Sequence, residues 1–324
     1  MRTFVSKKVN FTRYAWFVLA YIILVILWGA FVRATGSGAG CGSHWPLCNG
    51  VVVPRDAQVE TLIEFTHRVT SAFSGVLVLI MLFWAFRLFP KGHIVRKAAV
   101  YSTVFIITEG LVGAGLVLFE WVAHNESVAR AISMAVHLVN TFLLLAAVSL
   151  TAWWSGAKDE MAFRIRGTGA TGRWFAGALV LLVVLGASGA VTALGDTLFP
   201  SGTLREGIAA DFAPTAHFLV RLRVYHPIIA VLTGVYLWLA SGAIARSHPG
   251  IGVMFFSQAV RIVVVVQLIA GIVNILLNVP VWMQLVHLLL ADLMWIAVVL
   301  LGAAALSRPA EAAQPVALPA QPGD

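Results

Sequence analysis

Eight long apolar runs, separated by short polar connections, dominate the chain. They cover about 14–34, 62–89, 98–120, 131–154, 174–194, 217–245, 254–278 and 281–306. Each is near or above the length of about 20 residues that crosses the hydrocarbon of a bilayer. Inside lipid a backbone finds no hydrogen-bond partner but its own, so every run is predicted to be a helix. The fold class that follows is all-α: a polytopic membrane protein with eight transmembrane helices. The first run is longer than the core of a cleaved signal peptide, and no small-residue cleavage site follows it. It is expected to remain as a span.

Composition agrees with the pattern. Of 324 residues, 60% are hydrophobic and only 11% charged, more apolar surface than a soluble domain of this length could hide. Two cysteines exclude a thiolate metal cluster, whereas nine histidines leave imidazole as the available metal ligand. The net charge of +8 fits basic loops against anionic lipid, so the expected partner is the membrane and not nucleic acid.

Lysine and arginine set the expected orientation. Arg2, Lys7, Lys8 and Arg13 precede the first span; Arg87, Lys91, Arg96 and Lys97 follow the second; Lys158, Arg164, Arg166 and Arg173 follow the fourth. These segments, 1–13 and 155–173 included, are assigned to the cytoplasm. The loop 35–61, with both cysteines, and the loop 195–222 then face outward, although Arg55, Arg205, Arg221 and Arg223 lie in or beside them. The Ala- and Pro-rich tail, 307–324, is expected to be a disordered cytoplasmic end.

The two halves resemble each other. Gly29-Ala30 with Thr35 and Gly38 matches Gly186-Ala187 with Thr192 and Gly195, and Gly75 and Gly234 each lie eight residues after a histidine, His67 and His226. Four spans per unit is an even number, so both units share one orientation. The expected architecture is two four-helix bundles in a parallel repeat, 14–154 and 174–306.

His67, His137, His226 and His287 all fall toward the outer ends of their spans, two per half on different helices. Such pairs suit axial ligation of a haem between facing helices. The plainer role for each is a hydrogen bond to a neighbouring helix. Glu64 lies three residues before His67 and shares its helix face; it is a candidate general acid or base, or a salt-bridge partner of Arg68 or Arg33. Arg223 occupies the matching place before His226 and suits a propionate. Glu109 aligns roughly with Gln267 and ranks behind Glu64. Cys41 and Cys48 face the oxidising side, where a disulfide is permitted; loop pinning and redox work both stay open. Gly36-Ser37-Gly38-Ala39-Gly40 lacks the Lys-Ser/Thr of a phosphate loop and reads as a tight turn.

The run VRATGSGAGCGSHWPLCNG followed by IEFTHR resembles the signature of the haem A synthase family, the COX15/CtaA type of cytochrome oxidase assembly protein. VHLVNTFLLL around His137 and QLVHLLLADLMW around His287 resemble its fourth and eighth helices, so the likeness extends over nearly all eight spans. It implies an oxidoreductase that converts haem O to haem A by oxidising a porphyrin methyl to a formyl group. It further implies a substrate haem near His67 and His137, with Glu64 catalytic. A resident haem b would have His226 and His287 on its iron, and Cys41 would pair with Cys48. Arg68 and Arg223 are the candidate propionate contacts. Departures are Pro227 after His226, where Arg68 follows His67, and Gly-Ser-His before Trp45, where Pro-Asp is expected. A complex with haem O synthase and a homo-oligomer are open as partners. The alternative reading of the same residues is a di-haem b membrane electron-transfer protein without bond-making chemistry.

Overall fold

The structure is a computed structural model that describes residues 2–157, 161–163 and 168–309. The elements are α1 (Arg2–Ala34), a 3₁₀ turn (Ser37–Ala39), α2 (Val59–Leu88), α3 (Ile94–Leu118), α4 (Val128–Gly156), β1 (Met161–Phe163), α5 (Gly169–Leu198), α6 (Leu204–Asp211), α7 (Phe218–Leu222), α8 (Tyr225–Ser247), α9 (Ile251–Leu276), α10 (Val281–Leu306) and β2 (Ser307–Pro309). Eight helical spans among the described residues are long and apolar enough to cross a membrane, with α7 and α8 together making the sixth. The chain is a multi-pass membrane protein.

Local chemistry sets several of the boundaries. Ser127 caps α4 by accepting the Arg130 backbone N–H, and Thr203 with Glu206 forms a reciprocal capping box on α6. The turn after α1 needs the left-handed Gly36, at φ 70°. Three features differ from the hydropathy reading. Helix α1 starts well before residue 14, the loop 195–222 contains α6, and the sixth span breaks at Arg223 and Val224. Of the basic residues used for orientation, Lys158, Arg164 and Arg166 lie outside the described residues. So does the tail from 310 onward. Ser307–Pro309, expected as the start of that disordered tail, instead pairs antiparallel with Met161–Phe163. Its partner is remote in sequence, so no local pattern announces it.

Helix α1 packs on α2 and α4, and α3 packs on both of these, so α1–α4 close a ring. In the second half α8 packs on α5 and α9, and α10 on α9 and α5. Helix α4 meets α5 and α10, and α1 meets α10, joining the rings. Between helices in lipid the hydrophobic effect gives no net drive, so close packing and interhelical hydrogen bonds must hold the bundle. Helix α10 is the most buried of the spans. In its apolar 18-residue stretch 67% of the residues are buried, against 17–39% in those of the other spans. Trp295 of α10 stacks on Phe142 of α4, ring centres 4.8 Å apart and planes 11° apart, and its indole N–H donates to the Phe142 carbonyl.

Replacing this anchor tests the role of α10. Trp295→Ala is expected to lower the thermal midpoint of the detergent-solubilised protein, by a free energy on the order of 3 kcal/mol. Trp282→Ala, at a position 58% exposed on the same helix, should leave it nearly unchanged. Equal midpoints for both would refute α10 as the central support.

Candidate functional site

A cavity of about 1480 Å³ runs through the end of the bundle that carries the cysteine loop, and His67, His137, His226 and His287 all line it. A pocket for one drug-sized ligand holds roughly 300–1,000 Å³, so this space suits more than one such group. The four histidines are half-buried.

The first pair comes from α2 and α4. The His67 ring lies against Gly29 of α1, where an added Cβ would come within 2.8 Å of His67 Cε1. His137 Nδ1 stands 3.4 Å from Glu109 Oε1 of α3. Glu109 is held in turn by the Asn140 amide and the Thr141 hydroxyl, one on each carboxylate oxygen. Asn140 and Thr141 follow His137 by three and four residues, which puts all three on one face of α4. Glu109, ranked second by sequence, is therefore the carboxylate against a histidine.

The second pair comes from α8 and α10. His226 Nδ1 is 2.9 Å from the Ser188 hydroxyl of α5, which leaves Nε2 as the free ligating nitrogen when Nδ1 carries the proton. His287 Nε2 is 3.3 Å from the Gln267 amide nitrogen of α9, and its Nδ1 is buried with no hydrogen-bond partner. The two imidazole centres lie 6.5 Å apart, with planes at 79°. Two imidazoles sharing a metal through bonds of about 2 Å would hold their ring centres roughly 6 Å apart, so the separation of this pair is compatible with one shared metal ion. Nδ1 of His67 and of His137 likewise has no hydrogen-bond partner.

Contacts with the histidines revise the internal register. An added Cβ on Gly189 of α5 would meet His226 Cε1 at 3.0 Å, as Gly29 meets His67, whereas Gly186 packs against Phe142 and Leu138. By this contact the counterpart of Gly29 is Gly189, three residues later than sequence matching suggests. Gly186-Ala187 and Gly189-Ala190 lie three residues apart in α5, so either pair can stand opposite Gly29-Ala30 in the sequence.

Glu64 does a different job from Glu109. Its Oε2 accepts the Cys41 backbone N–H at 2.8 Å, and its Oε1 accepts from Arg68 Nε and Nη2 at 3.1 and 2.5 Å. Arg68 Nη1 donates to the His44 and Leu47 carbonyls. Cys41 and Cys48 form a disulfide within this loop. Glu64 and Arg68 thus clamp the loop on α2 while Glu64 still lines the cavity. The salt bridge weighed as the plainer role of Glu64 is present. Arg223 is paired too, 3.0 Å from Asp196 and 3.4 Å from Asp211. Burial pushes the Asp211 carboxyl up from its usual range, and Arg223 pulls it back. Asp196, Asp211, Arg33 and Arg130, none of them assigned a site role by sequence, also line the cavity. An ionisable side chain at the edge of an apolar run was the available signal.

The family model described as Cytochrome oxidase assembly protein (COX15-CtaA) matches residues 12–299. A Thermus thermophilus protein named Protoheme IX farnesyltransferase is 51% identical over 298 residues, 92% of this chain and 49% of that protein. Proteins named Heme A synthase are similar over shorter stretches. That of Shouchella clausii is 47% identical over 98 residues, 30% of this chain and 33% of its own. That of Alkalihalophilus pseudofirmus is 35% identical over 147 residues, 44% and 47% respectively. The chain spans about half the length, or less, of these relatives.

The loop clamp makes a checkable prediction. Arg68→Gln should speed amide hydrogen exchange across residues 41–48 by about tenfold or more, because charged hydrogen bonds worth about 1.5–3 kcal/mol are lost. Exchange in the middle of α3 should not change. Unaltered exchange in the loop would show that the clamp is dispensable.

Proposed function

The chain belongs to the cytochrome oxidase assembly protein family, and from that premise we propose that it is a haem A synthase, oxidising a methyl group of haem O to a formyl group. The observation that carries the reading is one cavity with two histidine pairs on facing helices, a carboxylate beside one pair and neutral groups beside the other. Haem O is the substrate, its iron taken by His67 and His137. Haem b is the resident group, its iron taken by His226 and His287; when bound it supplies one-electron redox chemistry. The first half, 14–154, is thus the substrate unit, and the second, 174–306, the haem b unit.

The methyl carbon passes through two hydroxylations, each taking an oxygen atom from water and releasing two protons and two electrons to an acceptor outside the chain, and the geminal diol then loses water to give the formyl group. Electrons leave in steps, and two sites lining one cavity give them a short path. The protein's own residues position and stabilise. Ser188 fixes the tautomer of His226. Glu109, 3.4 Å from His137 Nδ1, sets a negative charge beside that imidazole. Glu64, fixed by Arg68 and the Cys41 amide, places a carboxylate on the cavity wall close in sequence to His67, where positive charge developing at the substrate would be stabilised.

The disulfide supports an extracytoplasmic cysteine loop, with both termini in the cytoplasm. A complex with a haem O-making enzyme is also supported. In the Thermus thermophilus relative the match covers only half of a protein whose name is that of a protohaem farnesyltransferase. We infer that substrate passes directly between two such partners.

Expression in a host that makes haem O but not haem A, followed by haem extraction and chromatography, is expected to yield haem A. Haem b and unchanged haem O alone would favour the electron-transfer alternative. Glu64→Gln should retain the haem complement yet lose at least about 100-fold in haem A formation, the scale of a general acid–base or electrostatic contribution. Full activity in that variant would remove Glu64 from the chemistry. His226→Ala and His287→Ala should each lower haem b content measured as the pyridine haemochrome.

A further inference from the structure

Four arginines reach the cavity: Arg33, Arg68, Arg130 and Arg223. Two have carboxylate partners, Arg68 with Glu64 and Arg223 with Asp196 and Asp211. The other two do not. Among the described residues, no carboxylate oxygen lies within 4.0 Å of Arg33 or Arg130.

Arg130 is only 3% exposed. Its Nη1 donates to the Ala123 and Asn125 carbonyls at 2.6 and 2.8 Å, and its Nε has no partner. Half-buried Arg33 donates to the Ala193 carbonyl and the Thr197 hydroxyl, both at 2.6 Å, and to the Gln284 side-chain oxygen at 3.0 Å. All these acceptors are neutral. Asp196 is close enough for Arg33 to feel its charge, but it is bonded to Arg223; Arg33 also feels the like charge of Arg130. Cations held in a membrane bundle without a counter-ion are expensive. An anionic group entering the cavity would supply the missing charge.

The two arginines are placed over different histidine pairs. Arg130 lies seven residues before His137, two turns along one face of α4, a rise of about 10 Å. That rise is comparable with the reach from a porphyrin centre to its propionate carboxylates. Arg33 belongs to the first ring but reaches across to the second. Its acceptor Ala193 is one turn beyond Gly189, which packs on His226, and its acceptor Gln284 is one turn before His287.

We propose that Arg130 and Arg33 are the carboxylate-recognising groups of the cavity. Arg130 takes a propionate of the porphyrin at His67 and His137, and Arg33 takes one of the porphyrin at His226 and His287. The assignment rests on the haem reading above and replaces Arg68 and Arg223 as propionate contacts. Those two hold the loops instead. A guanidinium suits this task because its planar fork matches a carboxylate with two charge-assisted hydrogen bonds.

The test is a Soret-band titration of the full-length purified protein in detergent, with ferric protoporphyrin IX and, separately, its dimethyl ester. The free acid should bind on the order of tenfold more tightly than the ester. In protein that retains haem b, Arg130→Gln should lower free-acid affinity by about the same factor and erase the preference, while Arg130→Lys restores part of it. Arg33→Gln should reduce the haem b retained through purification, and Arg33→Lys should retain more. Equal binding of acid and ester by the wild-type protein overturns the proposal without recourse to any variant, and it is the result expected if the arginines serve lipid phosphates. Persistence of the preference in Arg130→Gln overturns the assignment to Arg130. No Soret change with either compound, in a protein purified without haem b, overturns the haem reading and this proposal together.

Discussion

An imidazole inside a membrane bundle must be supported by whatever the neighbouring helices offer, because lipid offers nothing. This constraint organises the loop end of the molecule. Each ring of four helices contributes two histidines, and the other two helices of that ring supply what the histidines rest on. In the first ring α1 gives Gly29 as a surface for His67, and α3 gives Glu109 to His137. In the second ring α5 gives Ser188 and Gly189 to His226, and α9 gives Gln267 and Gly271 to His287. The glycines matter because they let a ring lie flat against a backbone. At His226 and His287 a polar side chain within hydrogen-bond reach of one ring nitrogen leaves the other free.

The same scheme produces chemical asymmetry. A carboxylate beside one pair and an amide beside the other give two similar cages different electrostatics. An ionised Glu109 favours positive charge on the His137 side, whereas Gln267 imposes no net charge on His287. The loop end adds a second difference. The first ring is covered by a disulfide-closed loop held by Glu64 and Arg68, and the second by α6 with its Asp211 on Arg223. Similar scaffolds thus present two cages of different electrostatic character.

Much of this was legible in the sequence, for physical reasons. Apolar length alone marks the eight spans, and the four histidines stand out because a polar ring is rare within such runs. The pairing of Cys41 with Cys48, permitted by their place outside the spans and implied by the family resemblance, is present. What stayed hidden depends on contacts between helices remote in sequence. Nothing near Glu109 reveals that it will meet His137 rather than lipid. The two Gly-Ala pairs of α5 look equally good until one is seen touching His226. Arg33 reads as a basic residue at a membrane edge, and its acceptors on α5 and α10 lie more than 150 residues away. The pairing of Ser307–Pro309 with Met161–Phe163 is of the same kind.

The position of α10 has a consequence for biogenesis. It follows the seven other spans in chain order, yet it is the most buried of them and carries His287. The helices of the first ring can meet as soon as α4 has left the ribosome. The second histidine pair cannot exist until α10 has been synthesised and has slotted between α4, α5 and α9. A nascent chain therefore passes through a stage at which one cage is complete and the other lacks a wall, and insertion of α10 closes the second cage and adds its contacts with α4 and α1 to those that already join the rings.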